Sequence, residues 1–434
     1  MGTLKKTSPS SLGPGDFVEI IYGETALHGD FIKRDPDNKL LIIKLKSGYD
    51  VAVPEKMVRG LKLIGKAKPL PKKTVKATKP FSGNEDLTII TTGGTIASKI
   101  DYKTGGVSPS TDPDYYFQLA PDLKNYGNVR IKDAMQILSE NMLPSDWIKI
   151  GKAAYDSIKN GSKGVVVTMG TDTMHFASAA MSFILNPLSQ TVVFTGAQRS
   201  SDRGSSDATV NLSLSALTAA KWGGGESVVC MHADLNDRCN FILRGTRVRK
   251  MHTERRDAFK PVNFPPLARV YLDGKIEEIS RKIPKNSTTE INTKLDDRVG
   301  IITSYPGMDG GAIKYYLDKG VKGLVIAGTG FGNLPLKNKG VYQALETAHK
   351  KGVPIVVTSQ TIYGSTNRFV YSTLRELSKF DNIIYVNDML TETAFVKMMF
   401  ALGRSKDMGE IRKFMMAPVA GEIGERETYG SGSV

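Results

Sequence analysis

A short run of β-branched and apolar residues that stops at glycine and resumes with hydroxyl-bearing side chains is the feature that most limits how this chain folds. It occurs at Leu87-Thr88-Ile89-Ile90-Thr91-Thr92-Gly93-Gly94-Thr95-Ile96-Ala97-Ser98 and again at Gly164-Val165-Val166-Val167-Thr168-Met169-Gly170-Thr171-Asp172-Thr173. Runs without polar alternation read as strands buried on both faces, the kind that parallel sheets use. Further strands are expected at 191–195, 227–231, 299–303, 323–327, 354–358 and 383–386, with helical patterns between them. Alternating strands and helices imply an α/β fold, a mostly parallel sheet with helices on both faces. Strand carboxyl ends collect along one edge of such a sheet, so the two glycine loops can face one pocket. Thr95 is then the candidate nucleophile: Gly93 and Gly94 let the backbone pass close to a ligand, and a peptide N–H beside Thr95 can face a developing oxyanion. Thr171 and Asp172 are the second candidate pair. Asp172 or Thr173 also reads as the cap of a helix over residues 172–184.

The rest of the sequence narrows the chemistry. No apolar run approaches the roughly 18 residues of a membrane span, and the lysine-rich start lacks the apolar core of a secretion signal, so a cytoplasmic protein is expected. Cys230 and Cys239 form neither a metal spacing nor a redox pair, and the five histidines are scattered, so no metal site is expected. There is no Gly-x-x-x-x-Gly-Lys-Ser/Thr loop, and Gly328-Thr329-Gly330-Phe331-Gly332-Asn333 lacks dinucleotide spacing. No cofactor is therefore expected in this chain. Lys plus Arg number 59 against 44 Asp plus Glu, and about half of that excess lies in residues 1–80. An RNA partner accounts for it; so does the solvated, lysine-rich surface of a heat-adapted protein.

Composition also divides the chain. Residues 1–65 hold short strands at 16–22, 29–32, 40–45 and 49–53 between turn residues, the pattern of a small β-barrel domain. Residues 66–85 form a Lys/Pro-rich linker. A large α/β domain is expected over 86–275, a connection over 276–297, a smaller C-terminal α/β domain over 298–420 and a tail over 421–434. Within the large domain Ser145 is the expected cap of a helix burying Trp147 and Ala154, and 227–231 is the last clear strand. Arg244, Arg247, Arg249, Lys250, Arg255 and Arg256 crowd into residues 240–259, which reads as a basic face turned to solvent or RNA.

Thr-Gly-Gly-Thr-Ile-Ala at 92–97 with Gly-Thr-Asp-Thr at 170–173 resembles the signature pair of the bacterial-type L-asparaginase family, a likeness that covers about residues 86–420. The resemblance implies large and small α/β domains and hydrolysis of a side-chain carboxamide through a threonine nucleophile. Carried over by motif position, Thr95 supplies the attacking hydroxyl, Thr171 and Asp172 the second pair, and Asp172 also holds the substrate's amino group. Lys250 matches the family's lysine, Ser139 the serine that binds the substrate α-carboxylate, and Tyr102 the mobile-loop tyrosine; Gly94 and Gly170 line the substrate pocket. An alcohol needs a base to become a nucleophile near neutral pH. Tyr102, or Lys250 acting through Thr171, fills that role, and both readings stay open.

The N-terminal segment adds a narrower likeness. Gly15-Asp16-Phe17-Val18, Lys44-Leu45-Lys46-Ser47-Gly48-Tyr49, Gln198-Arg199-Ser200-Ser201-Asp202-Arg203 and Asp388-Met389-Leu390-Thr391-Glu392-Thr393-Ala394 are similar to the D-subunit family of the archaeal glutamyl-tRNA(Gln) amidotransferases. That family implies glutamine deamidation, with ammonia passed to an E-type partner subunit that uses ATP and Mg to act on tRNA(Gln) charged with glutamate, and self-association of the glutaminase chain as a dimer. Residues 364–369 depart from the likeness, lacking an arginine just after the glycine. Two rival readings are a free-standing cytosolic L-asparaginase and a non-catalytic RNA-binding scaffold. The joint presence of Thr95, Thr171, Asp172 and Lys250 argues against the scaffold.

Overall fold

The computed structural model describes residues 8–13, 15–36, 38–45, 50–66, 86–94, 96, 98–100, 107–109, 113–201 and 206–424. Near the N-terminus, β1 (Phe17–Tyr22), β2 (Thr25–Asp35), β3 (Leu40–Leu45), β4 (Asp50–Pro54) and β5 (Val58–Gly65) make an antiparallel sheet of order β4-β3-β2-β1-β5. Alternate residues Val18, Ile20, Leu41, Ile43 and Leu61 point into one small core, as a period of two dictates. Strand β5 was not expected: Arg59, Lys62 and two glycines break up its apolar run, and pairing with β1 supplies what the sequence pattern does not. Among the described residues no ladder joins β4 to β5.

The large unit follows in the order β6 (Leu87–Thr91), a two-stranded ribbon of β7 (Ser98–Ile100) and β8 (Val107–Pro109), α1 (Pro113–Leu119), β9 (Val129–Asp133), α2 (Pro144–Lys159), β10 (Gly164–Thr168), α3 (Met174–Ile184), β11 (Thr191–Thr195), α4 (Ala208–Lys221) and β12 (Ser227–His232). Then come β13 (Cys239–Arg244), a hairpin of β14 (Val248–Lys250) and β15 (Phe259–Pro261), β16 (Ala268–Tyr271) and β17 (Ile276–Glu278). Eight of these strands form one sheet, β17-β16-β13-β12-β11-β10-β6-β9. The five from β12 to β9 are parallel, and every residue of β6 and β10 is buried, as runs without polar alternation require. Because β6 and β10 are neighbours in register, the glycine loops that follow them leave the same edge side by side.

Three details differ from the expectation. The sheet continues past β12 through the antiparallel strands β13, β16 and β17, so 227–231 is not its last strand. Helix α2 opens at Pro144, and the Asp146 carboxylate, not Ser145, accepts the Leu143 N–H at 3.0 Å. Helix α3 starts at Met174, two residues later than read.

The C-terminal unit is a second α/β layer: β18 (Val299–Thr303), α5 (Gly311–Asp318), β19 (Gly323–Gly328), α6 (Lys339–Lys350), β20 (Ile355–Ser359), α7 (Ser372–Leu377), β21 (Ile383–Tyr385), α8 (Thr391–Arg404) and α9 (Met408–Met416). Its four strands are all parallel, in the order β18-β19-β20-β21. Helices α3 and α8 join the units through Phe176 against Phe395 and Phe183 against Phe400, ring pairs 6.1 and 5.9 Å apart.

Candidate active site

Three loops meet at the carboxyl edge of β9, β6 and β10. The N–H and hydroxyl of Thr92 both donate to the Thr168 carbonyl at 3.1 Å, and Ile137 N–H donates to the Thr92 carbonyl, which stitches the loops together. Glycine is what lets them close. Gly94 sits at φ +88°, and a Cβ there would lie 2.3 Å from the backbone nitrogen of Gly170. A Cβ on Gly170 would in turn lie 2.8 Å from the hydroxyl oxygen of buried Ser139. So Gly94, Gly170 and Ser139 form one continuous wall. Thr95 and Tyr102 lie outside the described residues.

Lys250 reaches this wall from the β14–β15 hairpin. Its ammonium donates to Thr171 Oγ1 at 2.8 Å and to Asp172 Oδ1 at 2.6 Å, with the lysine side chain only 10% exposed and the aspartate 65%. Those three residues, 79 and 78 positions apart in sequence, are therefore in direct contact. Neither Asp172 nor Thr173 takes the capping role: Thr173 stands at the N-cap of α3 without a side-chain capping bond and gives its hydroxyl to the Ser139 carbonyl at 2.7 Å. Gln198, named in the sequence only as part of a likeness motif and given no role there, has its Oε1 3.5 Å from Thr171 Oγ1. Its backbone N–H and that of Arg199 are held by the buried Asp207 carboxylate. A glutamine in a loop carries no sequence signal for where it points.

The cations at 240–259 are not a basic face. Arg244 and Arg247 are buried, the first paired with Glu226 and the second with Asp388, while Arg249, Arg255 and Arg256 meet Glu392, Asp257 and Asp237. A buried guanidinium needs a carboxylate to offset its desolvation, and here each is matched within the chain. Beside Lys250 lies an open cleft of about 540 Å³ lined by Asp172, His175, Arg249, Lys250, His252 and Glu392. Burial, reinforced by the positive charges of Arg249 and Lys250, pushes the His175 imidazole down to about 4, so it is neutral at physiological pH. Among the described residues no three His, Cys, Asp or Glu side chains are placed to hold a metal, and no helix is long and apolar enough to cross a membrane.

The family "Asparaginase, N-terminal" matches residues 86–284 and "Glutaminase/Asparaginase C-terminal domain" matches residues 298–415. The chain is 40% identical to the D subunit of the glutamyl-tRNA(Gln) amidotransferase of Methanobrevibacter smithii over 426 residues, 95% of this chain and 94% of that one. It is 41% identical to the D subunit of the same enzyme from Methanothermobacter thermautotrophicus over 423 residues, 96% and 95% of the two chains. Among solved structures, the thermostable L-asparaginase from Thermococcus kodakarensis superposes with a TM-score of 0.71 at 29% identity, covering 99% of that chain and 78% of this one.

Proposed function

The chain belongs to the family of glutamyl-tRNA(Gln) amidotransferase D subunits, built on the asparaginase fold, and from that premise we propose that it releases ammonia from glutamine for a tRNA-dependent amidation. The observation that carries the reading is the Lys250–Thr171–Asp172 contact set against the Gly94–Gly170–Ser139 wall. Thr95, next in the chain after Gly94, attacks the carboxamide carbon. Its proton passes to a base, Tyr102 as the phenolate or Lys250 as the free amine through Thr171, and that base returns the proton to the amide nitrogen as the tetrahedral intermediate collapses, so that ammonia leaves and an ester of Thr95 remains. Water then cleaves that ester to give glutamate and restore the hydroxyl. Asp172 holds the substrate's α-ammonium and Ser139 its α-carboxylate, so that the amide is presented at one end of a short cleft. Lys250 Nζ, donating to Thr171, keeps that hydroxyl's position fixed while charge develops.

The ammonia goes to an E-type partner subunit, where ATP and Mg activate glutamate carried on tRNA(Gln); two copies of the present chain pair in the complex. Relatives named as D subunits match the chain nearly end to end, whereas the solved asparaginase accounts for 78% of it, which favours the amidotransferase role over a free-standing asparaginase. The test is conversion of Glu-tRNA(Gln) to Gln-tRNA(Gln) by the chain with its partner, glutamine and ATP, beside ammonia release from asparagine by the chain alone. Coupled conversion that is lost in Thr95→Ala, with an unchanged melting curve, supports the reading. Rapid partner-free release from asparagine, or unchanged release in Thr95→Ala, overturns it.

A further inference from the structure

A buried hydrogen-bond chain links the two loops that flank the Lys250–Thr171 contact. At one end the Asp207 carboxylate accepts the N–H groups of Gln198 and Arg199 at 3.1 and 3.0 Å. Asn211, one turn further into α4, donates its side-chain nitrogen to the Gly196 carbonyl and to Asp207, both at 2.9 Å. With that nitrogen so engaged, the Asn211 oxygen faces outward, accepting from Asn240 at 2.9 Å and from His232 Nδ1 at 2.7 Å. The other ring nitrogen of His232 lies 3.0 Å from Asp237, which also binds the Arg256 guanidinium at 2.6 Å. Arg256 belongs to the loop between β14 and β15, a few residues after Lys250. Asp207, Asn211, His232 and Asn240 are each 0% exposed.

The circuit closes through the site: Gln198 lies beside Thr171, and Thr171 accepts from Lys250. We propose that His232 is a positioning residue for amide hydrolysis, the central link that fixes the Gln198 loop and the Lys250 hairpin relative to each other. It touches no reacting atom and works through Asp237–Arg256 on one side and Asn211–Asp207 on the other. In the dry interior the inner links, from Asp207 through Asn211 to His232, are directional, and a lost partner there leaves a costly unsatisfied group, so a break loosens both loops, while the part-exposed Asp237–Arg256 pair ties the hairpin to them. The inference rests on the amide-hydrolysis reading above.

The outer end of the chain is reachable without disturbing the core, since the Asp237 side chain is 58% exposed. In the assembled complex with charged tRNA, Arg256→Ala is expected to lower kcat for glutamine roughly tenfold while KM stays within about twofold, because loop placement and not substrate binding is lost. Arg256→Lys restores the ion pair and most of kcat. His232→Gln, whose amide reaches toward Asp237, and His232→Asn, whose amide reaches toward Asn211, each fall between wild type and His232→Ala. In Arg256→Ala/Gln198→Ala the two losses do not add, because both residues lie on one circuit. Wild-type kcat in Arg256→Ala, or fully additive losses in the double variant, overturns the proposal. Absence of ammonia release from the wild-type complex would instead sink the functional reading on which it stands.

Discussion

Gly94 and Gly274 offer a matched pair for testing whether close approach of two loops builds the site. Both hold nearly the same left-handed backbone, φ +88° and +89°, but a Cβ on Gly274 meets nothing within 4 Å, whereas one on Gly94 meets the Gly170 nitrogen at 2.3 Å. Alanine at either position incurs the left-handed penalty of about 1–2 kcal/mol. At Gly94 the neighbour is backbone and cannot rotate aside, so the two loops must part by about 1 Å to reach an ordinary contact distance. A displacement of that size between reacting groups costs on the order of 100-fold in rate, or about 2.7 kcal/mol of barrier. Gly274→Ala should therefore lower thermal stability a little and leave glutamine-dependent ammonia release intact, while Gly94→Ala should lose about two orders of magnitude in kcat. Stopped assays of ammonia beside melting curves separate the two effects. Equal activity in both variants would refute the claim that glycine is there to let the loops touch.

Lys250→Arg should fail to rescue Lys250→Ala, with each losing roughly 10²–10⁴-fold in kcat, because a planar fork does not replace a point donor shared by Thr171 and Asp172; near-normal turnover by the arginine variant would argue against that geometry. His175, held down to about 4, stays neutral in the folded protein while the unfolded chain takes up a proton below about 6.5. The unfolded state thus binds more protons in that window, and stability falls as pH drops from about 6.5 to 4, by about 2–3 kcal/mol in all. Denaturant titrations of His175→Phe should show a flatter pH dependence there; an unaltered slope would count against it. Lys397 and Glu422 form an ion pair in which neither side chain is exposed. Burial lowers the Lys397 pKa and Glu422 opposes that shift, so Glu422→Gln should cost about 3–5 kcal/mol at neutral pH and less as alkali neutralises the amine. Melting temperatures across pH would read both, and a loss that does not shrink in alkali would contradict the explanation.

Much of the architecture follows from local pattern. Val165, Val166 and Val167 have no polar neighbour to turn outward, so they announce a strand covered on both faces, and glycine after each such run marks where the site edge lies. The antiparallel strands β13, β16 and β17 are less legible because Arg244, Arg269 and Glu277 sit among their apolar residues. The fate of the arginines at 244 and 247 is illegible for a different reason. Whether a cation is solvated or buried depends on its carboxylate, and Arg247 meets Asp388 across 141 positions that no periodicity spans. The same holds for the site. Residue types at 171, 172 and 250 suggest chemistry, but their contact is a product of the fold, and only the likeness to a known family joined them in advance.

The segment after α9 bears on when the hairpin that carries Lys250 is anchored. Thr246 and Arg247, at the root of the hairpin that carries Lys250, bond the carbonyls of Ala420 and Gly421, each 174 positions downstream. Gly424 N–H adds a bond to the Asp388 carboxylate that holds Arg247. At ribosomal speeds of about 5–20 residues per second, that separation corresponds to roughly 10–35 seconds of elongation. A nascent chain therefore has to reach residues 420–424 before the hairpin carrying Lys250 gains these bonds, and a chain cut short of them lacks that anchor.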